Sequence, residues 1–132
     1  MRVLIADERP SVRAALRAVL ERDPYCQGID EVSEAGDALV ALGFGADVVV
    51  LGWGLQGMAA EALMKMMRSE FPDLVIVVLG RYGDARQAAL DAGANCYVDT
   101  SETSTDFIRV LHDLCPNIST ALSGGQREPA LP

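Results

Sequence analysis

The chain opens on a short apolar run, RVLIA at residues 2 to 6, that breaks at once into Asp7, Glu8 and Pro10. Such a run suits a buried strand ending in a polar loop. The spacing then turns helical: Val12, Ala15, Leu16, Val19 and Leu20 share one face and Arg13, Arg17 and Glu21 the other. Pro10 falls in the first turn, where its missing N–H costs nothing. The alternation repeats with a strand from Gly28 to Ser33 and a helix from Ala35 to Leu42. A third strand, Asp47 to Leu51, precedes the glycine-rich loop GWGLQG and a helix from Met58 to Glu70. Leu74 to Leu79 precedes a helix from Asp84 to Ala92; Cys96 to Val98 precedes one from Ser104 to Leu114, with Thr103 and Asp106 spaced like a capping box.

Five strands alternating with five helices predict an α/β fold with a parallel sheet covered on both faces. VVVL and LVIVVL are continuous apolar runs and belong at the centre, whereas Asp30 and Glu31 mark the second strand as an edge. In such sheets the functional crevice lies outside the carboxyl ends of the strands. That singles out the loops at Asp7–Glu8, Gly52 to Gly57, Gly80 to Gly83 and Asp99 to Glu102. From Pro116 onward Pro, Gly and Ser dominate without apolar period, so residues 1–115 form one domain and 116–132 a flexible tail or linker.

Composition narrows the function. The chain has 132 residues, enough for a single core, and is 50% apolar, 5% aromatic and 23% charged. Eleven basic against 19 acidic residues give a net charge of −8, a field that repels nucleic acid, so no direct nucleic-acid binding is expected. No apolar run approaches the roughly 20 residues of a membrane helix, and the first residues lack a signal-peptide cleavage pattern; a cytoplasmic protein without membrane contact is expected. Cys26, Cys96 and Cys115 lack paired spacing and read as small buried thiols. The lone histidine, His112, reads as solvent-facing. On the third helix Met66 and Met67 join Leu63 in the core, leaving Met64 as the exposed, adaptable one. Arg9, Arg13 and Arg17 form a row that reads as a solvated face or a contact for an acidic partner.

The segments VLIADERPSVRAALRAVLE, ADVVVLGWGLQGM, DLVIVVLG and ALDAGANCYV together resemble the receiver domain of two-component response regulators, over residues 1 to about 115. The resemblance implies a (βα)5 flavodoxin-like three-layer sandwich with strand order 2-1-3-4-5. It also implies phosphoryl transfer from a histidine kinase to an aspartate ending the third strand, assisted by Mg²⁺. That position is Gly52, which offers no nucleophile. The family's hydroxyl residue falls on Gly80 and its lysine on Thr100; the acidic pair Asp7–Glu8 and the switch aromatic, Tyr97, are kept. No resident cofactor is expected: Asp7, Glu8 and the Gly54 carbonyl make a vestigial Mg²⁺ site, weak at most, and the carboxylates are expected to be solvated.

The resemblance therefore implies a non-enzymatic receiver that acts through surfaces, independently of phosphorylation. Its partner would be another protein or a second copy, meeting the fourth helix, fifth strand and fifth helix, where Arg81, Arg86, Arg109, Asp91 and Asp113 supply both signs of charge. Trp53, exposed beside the site, is a further candidate anchor. The alternatives are a small ligand in the glycine-lined crevice or a phosphoacceptor elsewhere, such as Asp7 or Asp99. A flavin site is disfavoured, because DERPS has too few hydroxyl and glycine residues to wrap a phosphate.

Overall fold

The structure, a computed structural model, describes residues 1–81, 85–100 and 104–114. Its elements are β1 (Arg2–Ala6), α1 (Pro10–Leu20), β2 (Gly28–Val32), α2 (Ala35–Leu42), β3 (Val48–Gly52), α3 (Ala60–Glu70), β4 (Val75–Gly80), α4 (Arg86–Asp91), β5 (Cys96–Asp99) and α5 (Ser104–Leu114). The strands form one parallel sheet in the order β2-β1-β3-β4-β5. Asp84, the Thr103–Asp106 cap, Cys115 and the tail expected at 116–132 lie outside the described residues or side chains.

Period-two alternation sorts the strands' side chains onto two faces. Leu4, Ala6, Val49, Leu51, Ile76 and Val78 meet Ala35, Ala38 and Leu42 of α2, Leu63, Met64 and Met67 of α3, and Ala89 of α4. Val3, Ile5, Val48, Val50, Val77 and Leu79 meet Leu20 of α1 and Phe107 and Leu111 of α5. All of β3 is buried, as a central strand requires, whereas Asp30 and Glu31 are exposed on the edge strand β2.

Arg68 braces the far end of the sheet. Its Nη1 donates to the Leu74 carbonyl (2.6 Å) and its Nη2 to the Gly93 carbonyl (2.7 Å) and Asn95 Oδ1 (2.9 Å), joining α3 to the entries of β4 and β5. The chain turns into β5 through Gly93 at φ 114, a left-handed conformation that favours glycine.

Several expectations need correcting. Met64 is fully buried and Met66 is 43% exposed, the reverse of the assignment from spacing. Leu63 and Met67 define the buried stripe, and at about 100° per residue Met64 and Met66 each lie about 80° from its centre, on opposite sides. The sheet, which spacing does not see, decides between them. His112 is not a free surface residue: its Nε2 lies 2.8 Å from Oδ2 of the buried Asp23, and its ring meets Tyr25 edge-on at 5.3 Å. The pair fastens α5 to the α1–β2 loop. Cys26 and Cys96 are half-buried, not fully buried as expected, and burial pushes the Cys26 thiol up, away from reactivity. Among the described residues, no helix is long and apolar enough to cross a membrane.

Candidate functional site

The carboxyl ends of β1, β3, β4 and β5 open onto a cavity of about 340 Å³ lined by Asp7, Glu8, Trp53, Gly54, Gly80 and Tyr97 among others. Six of the sequence-derived site residues therefore converge there. Gly52 is buried beneath it, at the end of β3, where the Trp53 N–H donates to the Leu79 carbonyl (2.9 Å) and extends the ladder. Thr100 does not join them. It is exposed and lines a second cavity, of about 230 Å³, with Ser11, Leu16, Val98 and Phe107 between α1 and α5. Arg109 lies exposed on α5, and Arg86 lies against the outer side of Tyr97.

Asp7 is not solvated, contrary to expectation. It is 1% exposed, and among the described residues its carboxylate is held by Arg9, in three ways. The Arg9 backbone N–H and Nε both donate to Oδ1 (2.9 Å each), and Nη2 donates to Oδ2 (2.8 Å). This planar fork is the strongest geometry a guanidinium offers a carboxylate. Hydrogen bonding to Asp7, against an opposing effect of burial, holds the Arg9 guanidinium above its ordinary value. The row of arginines is likewise engaged within the chain: Arg13 donates to the Asp7 carbonyl (2.6 Å), and both Arg13 and Arg17 pair with Glu31 on β2. Sequence reasoning missed the Asp7–Arg9 pair, because the spacing alone does not say which way the Arg9 side chain turns.

Two glycines have their side-chain space filled by neighbours. A Cβ placed on Gly52 would lie 2.3 Å from Asp7 Oδ2 and 2.8 Å from its Cγ. A Cβ on Gly80 would lie 1.9 Å from the Tyr97 hydroxyl oxygen and 2.5 Å from Cζ. Tyr97 is 3% exposed, packs with the α2–α4 face of the core, and donates its O–H to the Arg81 carbonyl (3.4 Å). The Arg86 guanidinium covers the ring 5.0 Å from its centroid and reaches the Tyr97 carbonyl (3.4 Å). Trp53 is half-buried against the core, not free on the surface as expected.

A divalent cation fits these residues poorly. It needs a hard carboxylate oxygen as ligand, yet both Asp7 oxygens already face a guanidinium and Glu8 Oε1 accepts from Gln56 Nε2 (2.6 Å). Among the described residues, no group of three His, Cys, Asp or Glu is arranged to hold a metal.

Comparison with known proteins places this geometry. The family model for the response regulator receiver domain matches residues 3–111. The nitrate/nitrite response regulator NarP of Escherichia coli is 32% identical over 103 residues, covering 73% of this chain and 46% of the relative. The transcriptional regulatory protein LiaR of Bacillus subtilis is 28% identical over 130 residues, 94% of this chain and 62% of the relative. The chain thus spans about half the length of the curated relatives it matches. Among solved structures, the RcsB response regulator of Salmonella typhimurium superposes with a TM-score of 0.79 at 26% identity, over 86% of this chain and 61% of that one. The receiver domain of NtrX from Brucella abortus, at 21% identity and a TM-score of 0.77 over 85% of this chain and 96% of its own, shows the same fold.

Proposed function

The chain belongs to the response regulator receiver domain family of two-component signalling, and we propose that it acts there as a phosphorylation-independent, non-enzymatic interaction module. The observation that carries this reading is Gly52 at the end of β3, with the Asp7 carboxylate filling the space a side chain there would need. Loss of the nucleophile outweighs the rest: glycine at position 80 or threonine at 100 would weaken stabilisation of a phosphoryl group, whereas glycine at 52 removes the atom that accepts it. A substitute acceptor at Asp7 is disfavoured because Arg9 engages both of its oxygens. Gly80 supports the second half of the proposal. It leaves room for the Tyr97 hydroxyl, so the inward position of Tyr97 needs no phosphoryl group.

The surface that would act is α4–β5–α5, towards another protein or a second copy of the chain. Arg86, Asp91, Arg109 and Asp113 are exposed there with both signs of charge, as a specific rather than sticky contact needs. A second reading, a small ligand in the crevice, is favoured by the cavity of about 340 Å³ with Trp53 and Tyr97 in its lining; a ligand that raises the melting temperature would support it. The test of the first reading is the intact mass after treatment with phosphoramidate and Mg²⁺, beside a receiver that carries the aspartate. An unchanged mass is expected. A stoichiometric phosphoryl adduct on any residue of this chain overturns the proposal, and peptide mapping would locate the acceptor.

A further inference from the structure

We infer that Arg9 is a built-in counter-ion of Asp7 that closes this chain's acidic pair to Mg²⁺. The inference rests on the receiver reading above, but on different atoms. Asp7 is nine-tenths or more buried, and a buried carboxylate needs a cation or a set of N–H donors. Metal-holding sites meet that need with the ion. Here a side chain two residues away meets it, through Nε, Nη2 and the backbone N–H together.

Geometry makes the arrangement self-locking. Oδ1 accepts two N–H groups and Oδ2 a third, while Oδ2 also presses into the side-chain space above Gly52, 2.3 Å from where a Cβ would be. A cation bound at Oδ2 would either stand beside a fixed positive charge or displace Arg9 from a bidentate pair. Mg²⁺ is poorly suited to both, since it gives up water reluctantly and demands near-octahedral ligands. Glu8 and Gly54 line the same cavity as Asp7, and Glu8 Oε2 lies 4.0 Å from the Cβ position of Gly54. Arg9 is thus what occupies Asp7, while Glu8 Oε1 accepts from Gln56. Glycine at 52 is part of the same device, because a side chain there would push Asp7 out of the fork.

The test is a Mg²⁺ titration of the wild-type chain and of Arg9→Ala, followed through Trp53, which lines the same cavity and is the single tryptophan. Mn²⁺ broadening of the Asp7, Glu8 and Trp53 amide signals provides a second readout. The wild type is expected to show no saturable response up to about 10 mM Mg²⁺, and Arg9→Ala to bind at least about tenfold more tightly. Arg9→Gln, which keeps an amide donor but removes the charge, is expected to fall between them. Saturable wild-type binding with Mn²⁺ broadening at Asp7 overturns the inference, as does a folded Arg9→Ala chain as blind to Mg²⁺ as the wild type. If neither variant folds, the wild-type titration still decides: a flat response without Mn²⁺ broadening supports closure and a saturable one refutes it. Wild-type Mg²⁺ binding without a phosphoryl adduct would defeat this inference alone, whereas an adduct formed on a metal-blind chain would defeat the proposed function alone.

Discussion

Replacing Gly80 by alanine is expected to unseat Tyr97. The new methyl would lie 1.9 Å from the hydroxyl oxygen, 2.5 Å from Cζ and 2.7 Å from Cε1, so the ring itself, and not only its O–H, must move. Two opposing effects set the sign. Alanine in extended backbone restricts the unfolded chain and stabilises by about 0.4–1 kcal/mol. Forcing the ring against its core neighbours costs about 1–3 kcal/mol, and swinging it into the adjoining cavity or solvent forfeits burial of similar size. The net expectation is a loss of about 1–2 kcal/mol. Removing the ring removes the clash, so Gly80→Ala in a Tyr97→Ala background should be neutral or slightly stabilising. Urea unfolding of the four chains measures the coupling, expected at about 1 kcal/mol or more. Tyr97→Phe is the informative control: Cζ remains, so most of the coupling should survive. If Gly80→Ala lies within about 0.5 kcal/mol of wild type in both backgrounds, and the Tyr97 signals do not shift, the steric account of the inward tyrosine is wrong.

Two further outcomes follow from the charged surfaces. Arg17, first by its side-chain hydrogen bond, and then Arg13 hold the Glu31 carboxylate below its ordinary range. The stabilisation is therefore complete above that range and disappears as pH falls through the lowered folded-state value. Both ends are substantially exposed, so Glu31→Gln should cost only about 0.5–1 kcal/mol at pH 7; a cost that persists undiminished at about pH 3 would contradict the pairing. On the other side, reversing Arg86 and Arg109 to Glu should weaken self-association or partner capture through α4–β5–α5, measured by sedimentation or calorimetry. Arg86 also covers Tyr97, so Arg86→Ala alone separates lost cover, worth about 0.5–1 kcal/mol of stability, from reversed charge. Equal binding by the wild-type and doubly reversed chains would remove this face from consideration.

The sheet was legible because its central strands are apolar on both faces: VVVL and LVIVVL admit few other placements, and Asp30 with Glu31 exclude β2 from the centre. The convergence of Asp7, Glu8, Trp53, Gly54, Gly80 and Tyr97 was legible too, since strand ends in a parallel sheet share one edge. Pair geometry was not. An aspartate after a strand looks the same whether it faces water or a guanidinium, and nothing in the string DER says that Arg9 turns back to Asp7 instead of following α1 outward. His112 and Asp23 are 89 residues apart, beyond any local spacing rule. The glycines were read as losses of chemistry. Their second meaning, room taken by Asp7 and Tyr97, appears only when a Cβ is placed on each.

Central to the proposed function is a signalling face held in one state by the chain's own side chains, whatever phosphoryl donor is present. The most direct measurement is the amide spectrum of the chain with and without Mg²⁺ and acetyl phosphate, read at Tyr97, Val98 and Asp99 of β5. Unchanged signals, identical to those of the untreated chain, are the expected result. Saturable shifts along β5 on adding the donor would contradict it, because they would mean that Tyr97 still answers to a phosphoryl group.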